Sequence, residues 1–224
     1  MKSARFSERL RQRAARAGVT VDGSSIDQIE TYYQLLQHWN TKINLTALPL
    51  EGMSDQAIDR LVIEPLIAAA IVTSSETTWC DLGSGGGSPA IPMRIVRPLS
   101  RLTLVEARSR KAAFLREVVR ELSLLDVTVI ADRFESASEL PELAGRAELV
   151  TVRALRLDAA LFTAARRLLR PGAGAELFIF CRARSEVPIA PDFEHLRTVP
   201  LISGQTELMV FAAHSNSFQL RVGR

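Results

Sequence analysis

Residues 79–92 read Trp-Cys-Asp-Leu-Gly-Ser-Gly-Gly-Gly-Ser-Pro-Ala-Ile-Pro, and this stretch restricts the possible folds more than any other part of the chain. A short apolar run ends in Asp81, glycine occupies positions 83, 85, 86 and 87, and the residues that follow can open a helix. Glycine turns through positive φ without strain and has no Cβ to hold a ligand at a distance. A strand, a glycine-rich turn and a helix start form the nucleotide-binding corner of a doubly wound sheet. Gly83, Gly85, Gly87 and Ser88 are therefore the first candidates for ligand contact.

The details of the loop separate the possible ligands. A dinucleotide pattern places its third glycine where this chain has Ser88. Asp81 would repel a pyrophosphate, whereas an acid there suits the ammonium or sulfonium of S-adenosylmethionine. Glu106 closes the next strand-like run, about twenty residues on, where a carboxylate grips ribose hydroxyls. Asp132 stands at the end of the run after that, in position to reach an adenine. S-adenosylmethionine is thus expected ahead of NAD, with a purely structural turn as the bland alternative.

From residue 77 onward, apolar strand-like runs alternate with helical patterns. The runs are 78–82, 102–106, 127–131, 149–152, 176–181, 196–201 and 207–213, with helices expected over 108–122 and 157–169. Such alternation implies a parallel sheet covered by helices on both faces. Only Ser203-Gly204-Gln205 joins the last two runs, which leaves no room for a crossover helix and predicts an antiparallel hairpin at the sheet edge. The expected fold is α/β: a Rossmann-like, seven-stranded class I methyltransferase sheet over 76–224, preceded by a helical segment over 1–75 packed on it. In that segment Ile29, Tyr32, Tyr33, Leu35, Leu36 and Trp39 recur at helical spacing after a start near Ser25. A second helix is expected over 54–72, with Pro65 breaking or kinking it.

Composition narrows the class of protein. With 47% hydrophobic and 24% charged residues the chain is globular, and no apolar run is long enough to span a bilayer. The basic N-terminus lacks an apolar signal core, so a cytoplasmic protein without a membrane partner is expected. Cys80 and Cys181 lie in strand-like runs where they could be sheet neighbours, though a reduced pair is the preferred reading. No Cys/His spacing matches a metal site. Lys2, Arg5, Arg9, Arg11, Arg13 and Arg16 crowd the N-terminus, with Glu8 the only acid among them. Such a run is either a phosphate-binding face, making Arg9, Arg11, Arg13 and Arg16 candidate RNA contacts, or a solvated helix. Arg166, Arg167 and Arg170 sit before Pro171-Gly172, where a helix dipole accounts for them.

Three motifs now coincide: Trp39-Asn40-x-x-Ile43-Asn44-Leu45-Thr46-Ala47, the loop from Asp81 to Pro92, and Arg110-Lys111-x-x-Phe114-Leu115. Together, and in this order, they resemble the RsmG/GidB family of bacterial ribosomal RNA guanine-N7 methyltransferases. The likeness runs from about residue 35 to 169, and the first motif is not general to methyltransferases. It implies a class I fold, S-adenosylmethionine as the methyl donor, and a guanine in ribosomal RNA as acceptor, so ribosomal RNA or the small ribosomal subunit is the expected partner; a monomer is expected. By the same likeness Gly83 and Ser88 line the methionine and ribose end of the donor. Phe134 and Glu135 border the adenine, and Arg153 lies near the reaction centre, on the donor or the RNA. The chain departs from the family at Val152, where serine is usual, over 59–65, and at 181–184, all on the acceptor side.

No catalytic base is expected, since guanine N7 carries an exposed lone pair and alignment supplies most of the acceleration of an in-line displacement. Methylation leaves positive charge on the base, so Arg153 belongs on O6, a phosphate or the donor carboxylate rather than on N7. Two alternatives remain: a methyltransferase for another RNA site, protein or small molecule, and a non-catalytic ribosomal RNA-binding relative.

Overall fold

The computed structural model describes residues 2–172, 174–188, 190–202 and 204–214. The Lys2 side chain, Ser203 of the expected hairpin turn and residues 215–224 lie outside them. Seven strands form one sheet: β1 Thr78–Leu82, β2 Arg101–Val105, β3 Val127–Ile130, β4 Leu149–Arg153, β5 Glu176–Arg182, β6 Phe193–Pro200 and β7 Thr206–Ala213. Their order is β3-β2-β1-β4-β5-β7-β6. The first five are parallel, and β7 alone is reversed, pairing antiparallel with both β5 and β6. The class I arrangement expected from the sequence is therefore present. Strand order reverses between β1 and β4, and in an open α/β sheet ligands bind at the carboxyl ends of the strands at such a switch point.

Alternation along β1 sends Trp79 into one core and Cys80 with Leu82 into the other. The Trp79 face is covered by α5 (Ala90–Val96) and α6 (Ser109–Glu121), and the opposite face by α7 (Phe134–Ala137) and α8 (Ala159–Leu168). Cys80 and Cys181 are free thiols on β1 and β5 with β4 between them, so they are not neighbours. Burial pushes the Cys80 thiol up to about 12, which keeps it protonated and inert.

The N-terminal helices share the Trp79 core. In α1 (Lys2–Arg16), Phe6, Leu10 and Ala14 recur every fourth residue and are all buried, with the Phe6 ring 5.3 Å from that of Tyr33. Helix α2 (Gly23–Asn40) starts two residues before Ser25 because the Asp22 carboxylate caps it, accepting the Ser25 N–H. The helix expected over 54–72 is interrupted as Pro65 requires. It runs as α3 (Asp55–Ile58), a π-helical turn (Asp59–Ile63) and α4 (Glu64–Ile71). Proline has no N–H for the carbonyl four residues back and its ring crowds that carbonyl, so the chain widens just before Pro65. That turn delivers Arg60 and Glu64 to the carboxyl end of β4.

Candidate active site

The glycine loop between β1 and α5 is held from three sides. The N–H groups of Gly83 and Ser84 donate to the Val105 carbonyl at 2.8 and 3.0 Å. The Gly85 N–H donates to the Glu106 carboxylate at 2.8 Å, and the Tyr32 hydroxyl donates to the Gly86 carbonyl at 2.7 Å. The second Glu106 oxygen accepts the Arg108 N–H at 2.8 Å, so one side chain ties the loops after β1 and β2 together. Each of those oxygens keeps a lone pair for a ligand hydroxyl. Gly85 has φ +52° and a Cβ there would meet only the Gly83 carbonyl oxygen, 3.6 Å away. The backbone at Gly85 is therefore open to an approaching ligand.

A cavity of about 730 Å³ lies over the strand ends, well within the range of small-ligand sites. Of the residues singled out in the sequence, it brings together Gly83, Gly85, Ser88, Glu106, Asp132, Phe134, Glu135 and Arg153. Asp132 does not cap α7, whose N-cap is Arg133. Instead its carboxylate accepts the Arg133 N–H at 2.7 Å. Phe134, the first residue of α7, packs against the core and also forms part of the cavity wall.

Two expected ligand contacts fall elsewhere. Gly87 faces the core: a Cβ there would stand 2.9 Å from Ile91 Cγ1 and 3.4 Å from the Tyr32 ring, so this glycine serves close packing. Asp81 is 1% exposed and lies beneath the loop rather than in the cavity. The strand alternation that buries Trp79 also buries the Asp81 side chain. The Thr151 hydroxyl donates to its carboxyl at 2.5 Å, and burial pushes the Asp81 pKa up to about 7. Asp81 thereby links β1 to β4.

Arg153 is the other revision. It reaches the cavity, but it is an ion-paired side chain and not a lone one. Its Nη2 donates to the Glu64 carboxylate, its Nη1 donates to the Arg60 carbonyl at 2.5 Å and lies 3.3 Å from Ser88 Oγ, and its guanidinium sits 5.2 Å over the Phe180 ring. Glu64 is fully buried and also accepts a hydrogen bond from the Thr206 hydroxyl, with Arg60 Nε 3.6 Å away. Burial pulls the Arg153 pKa below the usual arginine value, and the Glu64 carboxylate opposes that pull. Sequence reasoning missed Glu64. The available signal was a carboxylate embedded in the apolar run of 61–71, which must find a partner when buried.

The cations are distributed differently from the expectation too. Arg9 donates to Asp55 at 2.7 Å, and Arg13 pairs with both Asp55 and Asp59, so two of the four arginines expected on RNA clamp α1 to α3 and the π turn. Arg11 and Arg16 are exposed. At the cavity itself stand Arg60, Arg108, Lys111, Arg133 and Arg182, none of which had been selected as an RNA contact. No helix among the described residues is long and apolar enough to cross a membrane.

Comparison with known proteins adds the family. The profile of GidB, rRNA small subunit methyltransferase G, matches residues 25–192. A ribosomal RNA small subunit methyltransferase G from Neisseria gonorrhoeae (strain NCCP11945) is 36% identical over 167 residues, 74% of this chain and 75% of that one. Its counterpart from Stenotrophomonas maltophilia (strain K279a) is 35% identical over 158 residues, 70% of this chain and 69% of that one. Among solved structures, a SAM-dependent methyltransferase from Aquifex aeolicus superposes with a TM-score of 0.54 at 12% identity, covering 72% of this chain and 94% of its own. The putative methyltransferase yhhF from Escherichia coli gives 0.52 at 14% identity, covering 66% and 80%. These two likenesses speak to the fold alone. The match over most of the chain, on a class I sheet with a glycine-loop cavity, places this chain in the GidB family, rRNA small subunit methyltransferase G, as an S-adenosylmethionine-dependent methyltransferase.

Proposed function

We propose that this protein methylates N7 of a guanine in 16S ribosomal RNA, acting as a cytoplasmic monomer. The observation that carries the reading is the mixed character of one cavity. Glu106 and Asp132 follow β2 and β3 and Glu135 lies on α7, and Arg60, Arg108, Lys111, Arg133 and Arg182 line the same cavity. A neutral or cationic nucleoside fits the first group, and an anionic nucleic acid strand fits the second.

The residues present suit the donor. Gly85 would let its methionine part lie against bare backbone beside Gly83, which packs under Leu155, Glu106 would accept its ribose hydroxyls, and Asp132, Phe134 and Glu135 would border its adenine. When bound, S-adenosylmethionine supplies a sulfonium-linked methyl group open to in-line displacement. The chain's own task is then to hold the base still and keep water out. Arg153 can lie close to the acceptor because Glu64 offsets its charge. A guanidinium without that counter-charge would oppose the positive charge developing on the base, and the pair removes that conflict. Arg60 and Arg182 favour a base presenting acceptor oxygens, or the phosphates beside it.

The test is transfer of labelled methyl from S-adenosylmethionine to small-subunit RNA by the purified protein, followed by digestion to nucleosides. Label in 7-methylguanosine is expected. Label in another nucleoside would move the reading to a different acceptor. Tight RNA binding with no transfer would favour a non-catalytic relative.

A further inference from the structure

The Trp39-Asn40…Asn44-Leu45-Thr46 segment lies outside the sheet, yet its Leu45 and Thr46 line the same cavity. Asn40 ends α2, and its Oδ1 accepts the N–H groups of both Leu45 and Thr46, at 2.9 and 3.0 Å. The Thr46 hydroxyl oxygen then accepts the Leu48 N–H at 3.1 Å. Two side-chain oxygens, Asn40 Oδ1 and Thr46 Oγ1, therefore hold residues 45–48 after the turn that ends α2. Trp39 anchors the start of the turn, its ring 5.8 Å from that of Phe114 on α6.

The fixed loop presses on the donor loop. A Cβ on Gly86 would stand 3.5 Å from the Leu45 carbonyl oxygen and 3.2 Å from Leu36 Cδ1, so the two loops are in near contact. Leu45, Thr46, Ala47 and Leu48 all line the cavity, as does Leu61 from the π turn. This wall is aliphatic apart from one hydroxyl and carries no carboxylate. It differs from the acidic ends of β2 and β3, and Arg60 and Arg182 line the same cavity. An apolar wall beside guanidinia matches a flat base carried on a phosphate backbone: the base face lies on the side chains and the phosphates meet the cations.

We propose that residues 45–48 form the acceptor subsite, taking one purine base from an unpaired stretch of RNA, and that Asn40 is its positioning residue. The proposal rests on the methyl-transfer reading above and adds which part of the chain receives the acceptor. It also gives the family motif a role: the segment before the sheet shapes the substrate side, while the glycine loop holds the donor.

The experiment uses the full chain and compares Asn40→Leu, Asn40→Asp and Ala47→Trp with the wild type. Two quantities are read for each: donor affinity by calorimetry, and KM and kcat for methylation of small-subunit RNA. Asn40→Leu removes the acceptor of two N–H groups and should lower kcat/KM for RNA about 10- to 100-fold, with donor affinity within about threefold. Asn40→Asp keeps an oxygen in the same place and should recover most of that loss. Ala47 is exposed, so Ala47→Trp folds whether or not Asn40→Leu does, and by filling the subsite it should raise KM for RNA while donor affinity stays put. RNA kinetics at wild-type level in both Asn40→Leu and Ala47→Trp would overturn the proposal, as would equal losses of donor and RNA affinity. A wild type that transfers nothing to small-subunit RNA would instead overturn the functional reading beneath it.

Discussion

Glu64→Gln is the most informative single substitution at the site. The wild-type carboxylate is fully buried, accepts from Arg153 Nη2 and from the Thr206 hydroxyl, and faces Arg60 Nε. Glutamine keeps the shape and one oxygen acceptor but removes the charge. It leaves Arg153, whose side chain is only 11% exposed, without a counter-ion. Breaking one partner out of a buried pair costs about 3–5 kcal/mol, since the remaining charge stays desolvated. Arg60 adds little to that figure, because 30% of its side chain reaches solvent. For a chain of this size the loss corresponds to a melting point lowered by about 6–20 °C. Urea unfolding monitored by circular dichroism would measure it. The double variant Glu64→Gln/Arg153→Met removes the stranded charge as well, and it should regain roughly 2 kcal/mol or more over the single variant. A loss below about 1 kcal/mol in the single variant, or no recovery in the double, would refute the view that a buried ion pair holds Arg153 at the cavity.

Gly85→Val should abolish S-adenosylmethionine binding with the fold intact, since it places a branched side chain at φ +52° where the backbone meets the cavity; unchanged calorimetric affinity would make the loop a turn and nothing more. Asp81 supplies a pH signature: its folded pKa of about 7 lies above the unfolded value of about 3.9. Between those values the native state holds a proton that the unfolded chain has lost, so stability should fall as pH rises from about 4 to about 7. Asp81→Asn should flatten that decline in urea unfolding series, and parallel profiles would reject the assignment. Among the cations, replacing Arg108, Lys111 and Arg182 by glutamine should flatten the salt dependence of RNA binding by about 0.7 per lost phosphate contact to a single strand. Arg9→Gln and Arg13→Gln should lower stability and leave that slope alone, because both arginines already pair with Asp55 or Asp59; a flattened slope in that pair would return α1 to the RNA surface.

The parts of the molecule legible in the sequence are those written in local pattern. Strand ends fell within a few residues of expectation because apolar runs and glycine turns punctuate the chain, and Pro65 marked the break before α4 through its missing N–H. The strand-end part of the cavity was equally readable, since Gly85, Glu106 and Asp132 each follow a strand and a parallel sheet collects those ends at one edge. What escaped depended on partners distant in sequence. Arg13 resembled a free cation until the fold brought Asp59, 46 residues away, against it. Asp81 was read as a ligand contact because its place before the glycines gives no sign of which way the strand turns its side chain. Glu64 looked like a departure from a motif, and only the arrival of Arg153 and Thr206, 89 and 142 residues away, explains a carboxylate in that helix.

The central claim is methylation of a guanine in small-subunit RNA at N7, and mass mapping of modified nucleosides tests it most directly. Ribosomal RNA is taken from otherwise identical cells with and without this protein, digested, and compared fragment by fragment. Loss of 7-methylguanosine from a single 16S fragment, restored by the wild-type chain and not by Gly85→Val, is the expected result. An unchanged 16S map, or loss of a different methylated nucleoside, would contradict it.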